Sequence, residues 1–128
     1  AQMCGGPALE EISDAIRLPI VLAESASRPV LLFKHSTQCP ISARAAARVS
    51  AYEDEAGEKL PKIYWLKVIE SRPLSNAVES RLGVKHESPQ IILVRDAKAV
   101  WSTSHDDITA EAIDAALEAA QSDKSKSE

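Results

Sequence analysis

Short apolar runs alternate along this chain with stretches in which apolar residues recur at helical spacing. After Arg28-Pro29, where the residue before proline avoids the helical region, Val30-Leu31-Leu32-Phe33 predicts a buried strand reaching Lys34. From Pro40 to about Ala56, Ile41, Ala45, Val49, Tyr52 and Ala56 form one stripe at spacings of three and four, which predicts a helix with Gly57 as its stop. Pro61 then introduces Ile63 to Val68, a run of strand-favouring residues, so strand, helix and strand predict a right-handed parallel crossover. Leu74, Val78, Arg81 and Leu82 mark the buried face of a further helix, opened by Ser71 as cap with Pro73 as its second residue and closed by Gly83. Ile91 to Val94 is continuously apolar, as in a strand buried on both faces, and the Asp96-Ala97-Lys98 turn into Ala99–Ser102 predicts a hairpin. Thr109 caps a last helix with Glu111 in its first turn, a staple between Ile108 and Ile113, and a stripe of Ile113, Ala116, Leu117 and Ala120. Near the start, Leu9, Ile12, Ala15 and Ile16 predict a helix over 8–18 that Pro19 stops or bends, whereas 20–26 fits a helical turn or an extended segment.

These elements assemble into an α/β fold. Parallel β-α-β, a linking helix, a β-hairpin and a closing helix predict a central four-stranded mixed sheet with helices on both faces and an extra N-terminal helix. With 128 residues the chain is one domain, with a flexible start at 1–7 and a polar tail at 122–128 expected to fray. Its 45% hydrophobic and 27% charged content is ordinary for a globular protein. The formal net charge of -4 gives no overall attraction to nucleic acid or an anionic membrane. No apolar run approaches the roughly 18 residues of a membrane span, and Ile16–Ala23 is too interrupted by Arg17 and Pro19 for a signal segment. A monomer in the cytoplasm is expected, with no nucleic-acid or membrane partner.

The chemistry gathers at Cys39. It lies between the first confident strand and the helix opened by Pro40, where unpaired backbone N–H groups and the helix dipole favour a thiolate. Pro40 suits the first helical position because the N–H it lacks has no intrahelical partner. Ser42 stands where a Cys-x-x-Cys motif would place its second thiol, and it is expected to offer an N–H and a hydroxyl towards the sulfur. A mixed disulfide at Cys39 would therefore be released by an external thiol, or by Cys4, whose alternative is an incidental surface cysteine in a Gly-Gly-Pro run. A buried core cysteine is the bland alternative for Cys39. In a thioredoxin-like fold, which the element order fits, Ser88-Pro89 would be cis and lie beside the active cysteine, where the Ser88 backbone pairs with an extended substrate; the alternative is an ordinary trans turn.

The blocks Lys34 to Ser42, Glu70-Ser71-Arg72-Pro73-Leu74-Ser75-Asn76, His86-Glu87-Ser88-Pro89-Gln90 and Ser104-His105 with Ile108-Thr109 resemble the monothiol bacilliredoxin family of bacteria, in order from about Pro29 to Leu117. The resemblance implies a thioredoxin-like fold and a place in bacillithiol redox metabolism. It implies that Cys39, with Pro40 and Ser42, takes bacillithiol from S-bacillithiolated proteins as a Cys39–bacillithiol mixed disulfide. Bacillithiol is then a co-substrate, with no bound cofactor and no metal. Ser88 and Pro89 are the expected substrate contacts.

His35 and His86 are expected to flank the Cys39 pocket and tune it, the alternative being structural hydrogen bonding. Their spacing with His105 fits no zinc pattern. Ser104-His105-Asp106 holds triad residue types, but neighbours in sequence cannot converge on one atom, so a turn is expected there. Cys39 and Arg44 are too close for a phosphatase loop. Lys34, Arg44, Arg72 and Lys85 could hold the carboxylates of a small thiol or simply be solvated. Trp65 and Trp101 are expected in the core and at a sheet edge. The competing functional class is a non-catalytic thioredoxin-like adaptor that binds an extended peptide in the proline groove.

Overall fold

The apolar run beginning at Val30 forms the middle of the sheet. In the computed structural model, which describes residues 9–56 and 62–127 (side chains of Leu9, Glu55, Ala56 and 121–127 excepted), five strands are ordered around it. They are β1 (Leu9–Glu11), β2 (Val30–His35), β3 (Lys62–Lys67), β4 (Gln90–Arg95) and β5 (Lys98–Ser104), in the spatial order β1-β3-β2-β4-β5. β2 runs parallel to β3 and antiparallel to β4, and β4 and β5 form the predicted antiparallel hairpin. Among the described residues four α-helices accompany the sheet: α1 (Arg17–Glu24), α2 (Pro40–Ala56), α3 (Arg72–Leu82) and α4 (Ala110–Ser127), the last running on into the polar segment beyond Gln121, and a short 3-10 helix covers His105–Asp107. Cys4, Gly57 and Pro61 lie outside the described residues.

Strand alternation divides the core in two. Leu31, Phe33, Ile63, Trp65, Ile91 and Leu93 face α2 and α4, where they meet Ala45, Val49, Tyr52, Ile113 and Leu117. Val30, Leu32, Tyr64, Leu66, Ile92 and Val94 face α1 and α3, against Leu18, Val21, Leu22, Leu74 and Val78. Each large apolar side chain so buried contributes about 1.5–3 kcal/mol. The α2 alanines Ala45 and Ala46 are buried, which lets the helix that carries the site lie close to the sheet.

The N-terminal expectation is corrected. Leu9–Glu11 is a strand, and the helix begins only at Arg17, so the sheet has five strands rather than four. Local spacing favoured a helix, but pairing with β3 prevails: Lys62 bridges Glu10 at 3.1 Å, Lys67 lies 3.8 Å from Glu11, and Ile12 N–H donates to the Trp65 carbonyl. Pro19 lies in the first turn of α1, where a missing N–H breaks no intrahelical bond, so it neither stops nor bends the helix. Ile16 is consequently exposed at 71%. Ser71 takes the capping position of α3 without a side-chain hydrogen bond, and Arg81 is exposed while Ser75 joins the buried face. Thr109 Oγ1 does cap α4, accepting the Ala112 N–H at 3.1 Å, and Gly83 ends α3 at a φ of 67° that favours glycine. No helix among the described residues is long and apolar enough to cross a membrane.

Candidate active site

β2 ends at His35 and α2 begins at Pro40, so the intervening residues turn the chain from sheet to helix. The Cys39 N–H donates to the Ser36 carbonyl at 3.4 Å, and the Gln38 N–H donates to Ser36 Oγ at 3.3 Å. The Cys39 carbonyl accepts the Ala43 N–H at 3.1 Å, the first bond of the helix. Cys39 thus stands at the N-cap of α2, with Pro40 in the first helical position. It is free and partly exposed, and a side chain at this position can meet the open N–H groups of the first turn.

Ser42 is fully buried. The hydroxyl expected to face the sulfur is engaged elsewhere: its oxygen accepts the Ser36 N–H at 2.9 Å and lies 2.8 Å from His35 Nδ1. The position of a resolving thiol is therefore a latch across the turn. The His35 ring stacks on Phe33 at 5.8 Å and meets the edge of Trp65 at 6.1 Å. Burial holds the His35 pKa below its ordinary value; Glu70 pulls it up and Lys67 pushes it down. Its neutral form is the one that fits this site.

Two further segments border the turn. Val68 N–H donates to the His35 carbonyl at 2.9 Å, and Thr37 Oγ1 donates to Glu70 at 3.2 Å, bringing the exposed Ile69 to the same end of the sheet. On the other side, the Lys34–Gln90 pairing brings Ser88-Pro89 level with His35. That peptide bond is cis, the Pro89 carbonyl accepts the His105 N–H at 3.0 Å, and Ser88 Oγ is buried with no hydrogen-bond partner among the described residues.

The two histidines expected to flank Cys39 are separated by the sheet. His35 shares the α2 face with Leu31 and Phe33, whereas Lys34 points to the α3 face, where its Nζ meets His86 Nδ1 at 3.0 Å. His86 N–H donates to Glu79 Oε2 at 3.1 Å, and burial followed by the Lys34 charge lowers the His86 pKa. His105 forms a third, separate site with Ser104 Oγ at 3.1 Å. Lys34 is buried and so is not a free cation for a ligand, whereas Arg44 is exposed and lies 3.5 Å from Asp106. Arg72 and Lys85 are exposed. Trp65 is buried and Trp101 is partly buried against the same cluster.

Sequence reasoning missed Arg48, which donates to the carbonyls of His105 and Ile108 and lies 3.5 Å from Asp106, fastening the loop beside Pro89 to α2. It also missed that Lys34 is internal. The signal was present, since Lys34 is in phase with Val30 and Leu32 on a strand whose faces are both covered.

Residues 10–113 match the family model described as monothiol bacilliredoxin BrxC. A solved structure described as a candidate oxidoreductase with a thioredoxin fold is 30% identical, with 85% of this chain and 93% of that one covered and a TM-score of 0.76. A poplar thioredoxin h mutant is 17% identical over 95% of this chain and 88% of its own, with a TM-score of 0.73. Thioredoxin from Fasciola hepatica is 15% identical over 85% and 96%, with a TM-score of 0.68. The last two likenesses establish the fold.

Proposed function

The chain belongs to the monothiol bacilliredoxin family, and from that premise we propose that it removes bacillithiol from S-bacillithiolated proteins. Family and fold together support a thiol–disulfide oxidoreductase. The observation that carries the finer reading is a free, partly exposed Cys39 at the N-cap of α2, with a hydrogen-bonded serine where a resolving thiol would stand. In the proposed reaction the Cys39 thiolate attacks the bacillithiol sulfur of the protein–bacillithiol disulfide. The old S–S bond breaks, the target protein leaves as its thiolate, and bacillithiol remains on Cys39 as a mixed disulfide. An external thiol then attacks that adduct, restores the Cys39 thiolate and leaves as the disulfide with bacillithiol. Ser42 cannot substitute for this thiol. Ser88-Pro89 borders the place where the extended target would lie.

Intact-mass spectrometry of the protein mixed with a bacillithiolated substrate tests the proposal. The expected result is the mass of one bacillithiol added to Cys39 with loss of the tag from the substrate, and neither in Cys39→Ala. Persistence of the adduct in Cys4→Ser is expected. A folded protein that takes no bacillithiol would overturn the proposal and favour a peptide-binding adaptor.

A further inference from the structure

Lys34 is fully buried, and the partner of its Nζ is His86 Nδ1 at 3.0 Å. A desolvated ammonium needs a hydrogen-bonded partner, because leaving it unmatched is strongly unfavourable. An ammonium has three donors and no acceptor. While Lys34 is charged, His86 Nδ1 must therefore accept, which places the ring proton on Nε2 and leaves the imidazole neutral.

His86 belongs to the segment that joins α3 to β4 and contains Ser88-Pro89. Its backbone is held by Glu79, which accepts the His86 N–H, and by Gln90, whose amide donates to the Lys85 carbonyl at 3.0 Å and accepts the Glu87 N–H at 3.4 Å. Its side-chain tie to the sheet is Lys34, the residue directly before His35 on β2. Resting on the thiol-exchange reading above, we propose that Lys34 and His86 are positioning residues that hold the Ser88-Pro89 segment level with the Cys39 turn, and only while His86 is neutral.

The charged groups around the pair define the dependence. Glu79 and Arg72 act on His86 from α3, Glu87 acts from its own segment, and Lys34 acts from β2; Gln90 on β4 is neutral. The two glutamates favour a proton on His86, and the two cations oppose it. Hydrogen-bond geometry decides the outcome, because a protonated ring has an N–H at both nitrogens and cannot accept from Lys34. Acidification must therefore break the anchor and loosen the groove.

The test compares two disulfides reacting with Cys39 of the full chain. One is dithiobis-nitrobenzoate, too small to use the groove, and the other is a decapeptide whose cysteine carries thionitrobenzoate. The ratio of their rates cancels any change in thiolate fraction. In the parent protein this ratio should fall about tenfold in disfavour of the peptide between about pH 7.5 and about pH 5.5. His86→Asn, whose side-chain oxygen can accept at either pH, should keep the ratio high at both. Lys34→Met should keep it low at both. A flat parent profile, a parent-like fall in His86→Asn, or a parent-like profile in Lys34→Met would overturn the proposal. If neither disulfide reacts with Cys39, thiol exchange itself fails, and nitrogen NMR with amide exchange then judges the anchor alone. His86 should carry its proton on Nε2 near neutrality, and Lys34→Met should speed amide exchange of residues 84–90. A proton on Nδ1, or unchanged exchange in that variant, would sink the anchor.

Discussion

Ser42 holds the Ser36 N–H and His35 Nδ1 through a single oxygen inside the core, so its loss leaves groups that water cannot reach. Orphaning a buried donor costs about 1–3 kcal/mol, more than the net worth of an ordinary hydrogen bond. Ser42→Ala should therefore destabilise the fold by about that amount in urea unfolding, although alanine has the better helix propensity. An unchanged midpoint would show that the latch is unimportant. Ser42→Cys should also be destabilised, because a thiol is a weak hydrogen-bonding group. A second thiol is therefore not a neutral addition to this turn: it removes the clamp that shapes the approach to Cys39.

At the scale of elements, what could be read from sequence was what local chemistry decides. Ile91–Val94 announced a doubly buried strand by continuity, Thr109 announced a helix start by its hydroxyl, and Cys39-Pro40 announced a strand-to-helix junction. β1 was illegible because Leu9, Ile12 and Ile16 satisfy helical spacing, while its strand state depends on pairing with β3 some fifty residues away. The Lys34–His86 contact was hidden for the same reason, since it joins residues from separate elements. The β4–β5 hairpin shows a local choice overruled by packing. Asp96 and Ala97 have φ of 54° and 63°, and Ser25 fixes both through its carbonyl and its hydroxyl. Aspartate tolerates that region, whereas alanine is strained there by about 1–2 kcal/mol. Ala97→Gly preserves the N–H bonded to Ser25 and should raise stability by up to about 1 kcal/mol after the entropy of the unfolded glycine is deducted. Lower thermal stability in that variant would contradict this account of the turn.

Across the whole molecule, His35 and His86 put the integrity of the candidate site and the stability of the fold under proton control together. His35 and His86 lie on opposite faces of β2, and burial is the largest cause of the lowered pKa of each. For a base the sign follows directly: the unfolded chain takes up protons near pH 6.5, before the folded one does, so it gains stability relative to the native state as pH falls. The histidine contribution is complete above about pH 6.5 and is lost as pH drops through the lower folded values. The carboxylates act later. Lys62 and Arg17 hold Glu10 below its ordinary value, and Tyr64 and Arg28 hold Glu24 low against the opposing effect of burial. Their contribution is present above about pH 4.5 and disappears below it. Urea midpoints should therefore decline in two stages: a first that sets in as pH falls below about 6.5, removed in part by His86→Asn, and a second below about pH 4.5 that this variant leaves in place. A midpoint constant from neutrality down to the carboxylate stage would mean that neither imidazole resists protonation in the folded chain. The neutral state assigned to both sides of β2 would then fail together.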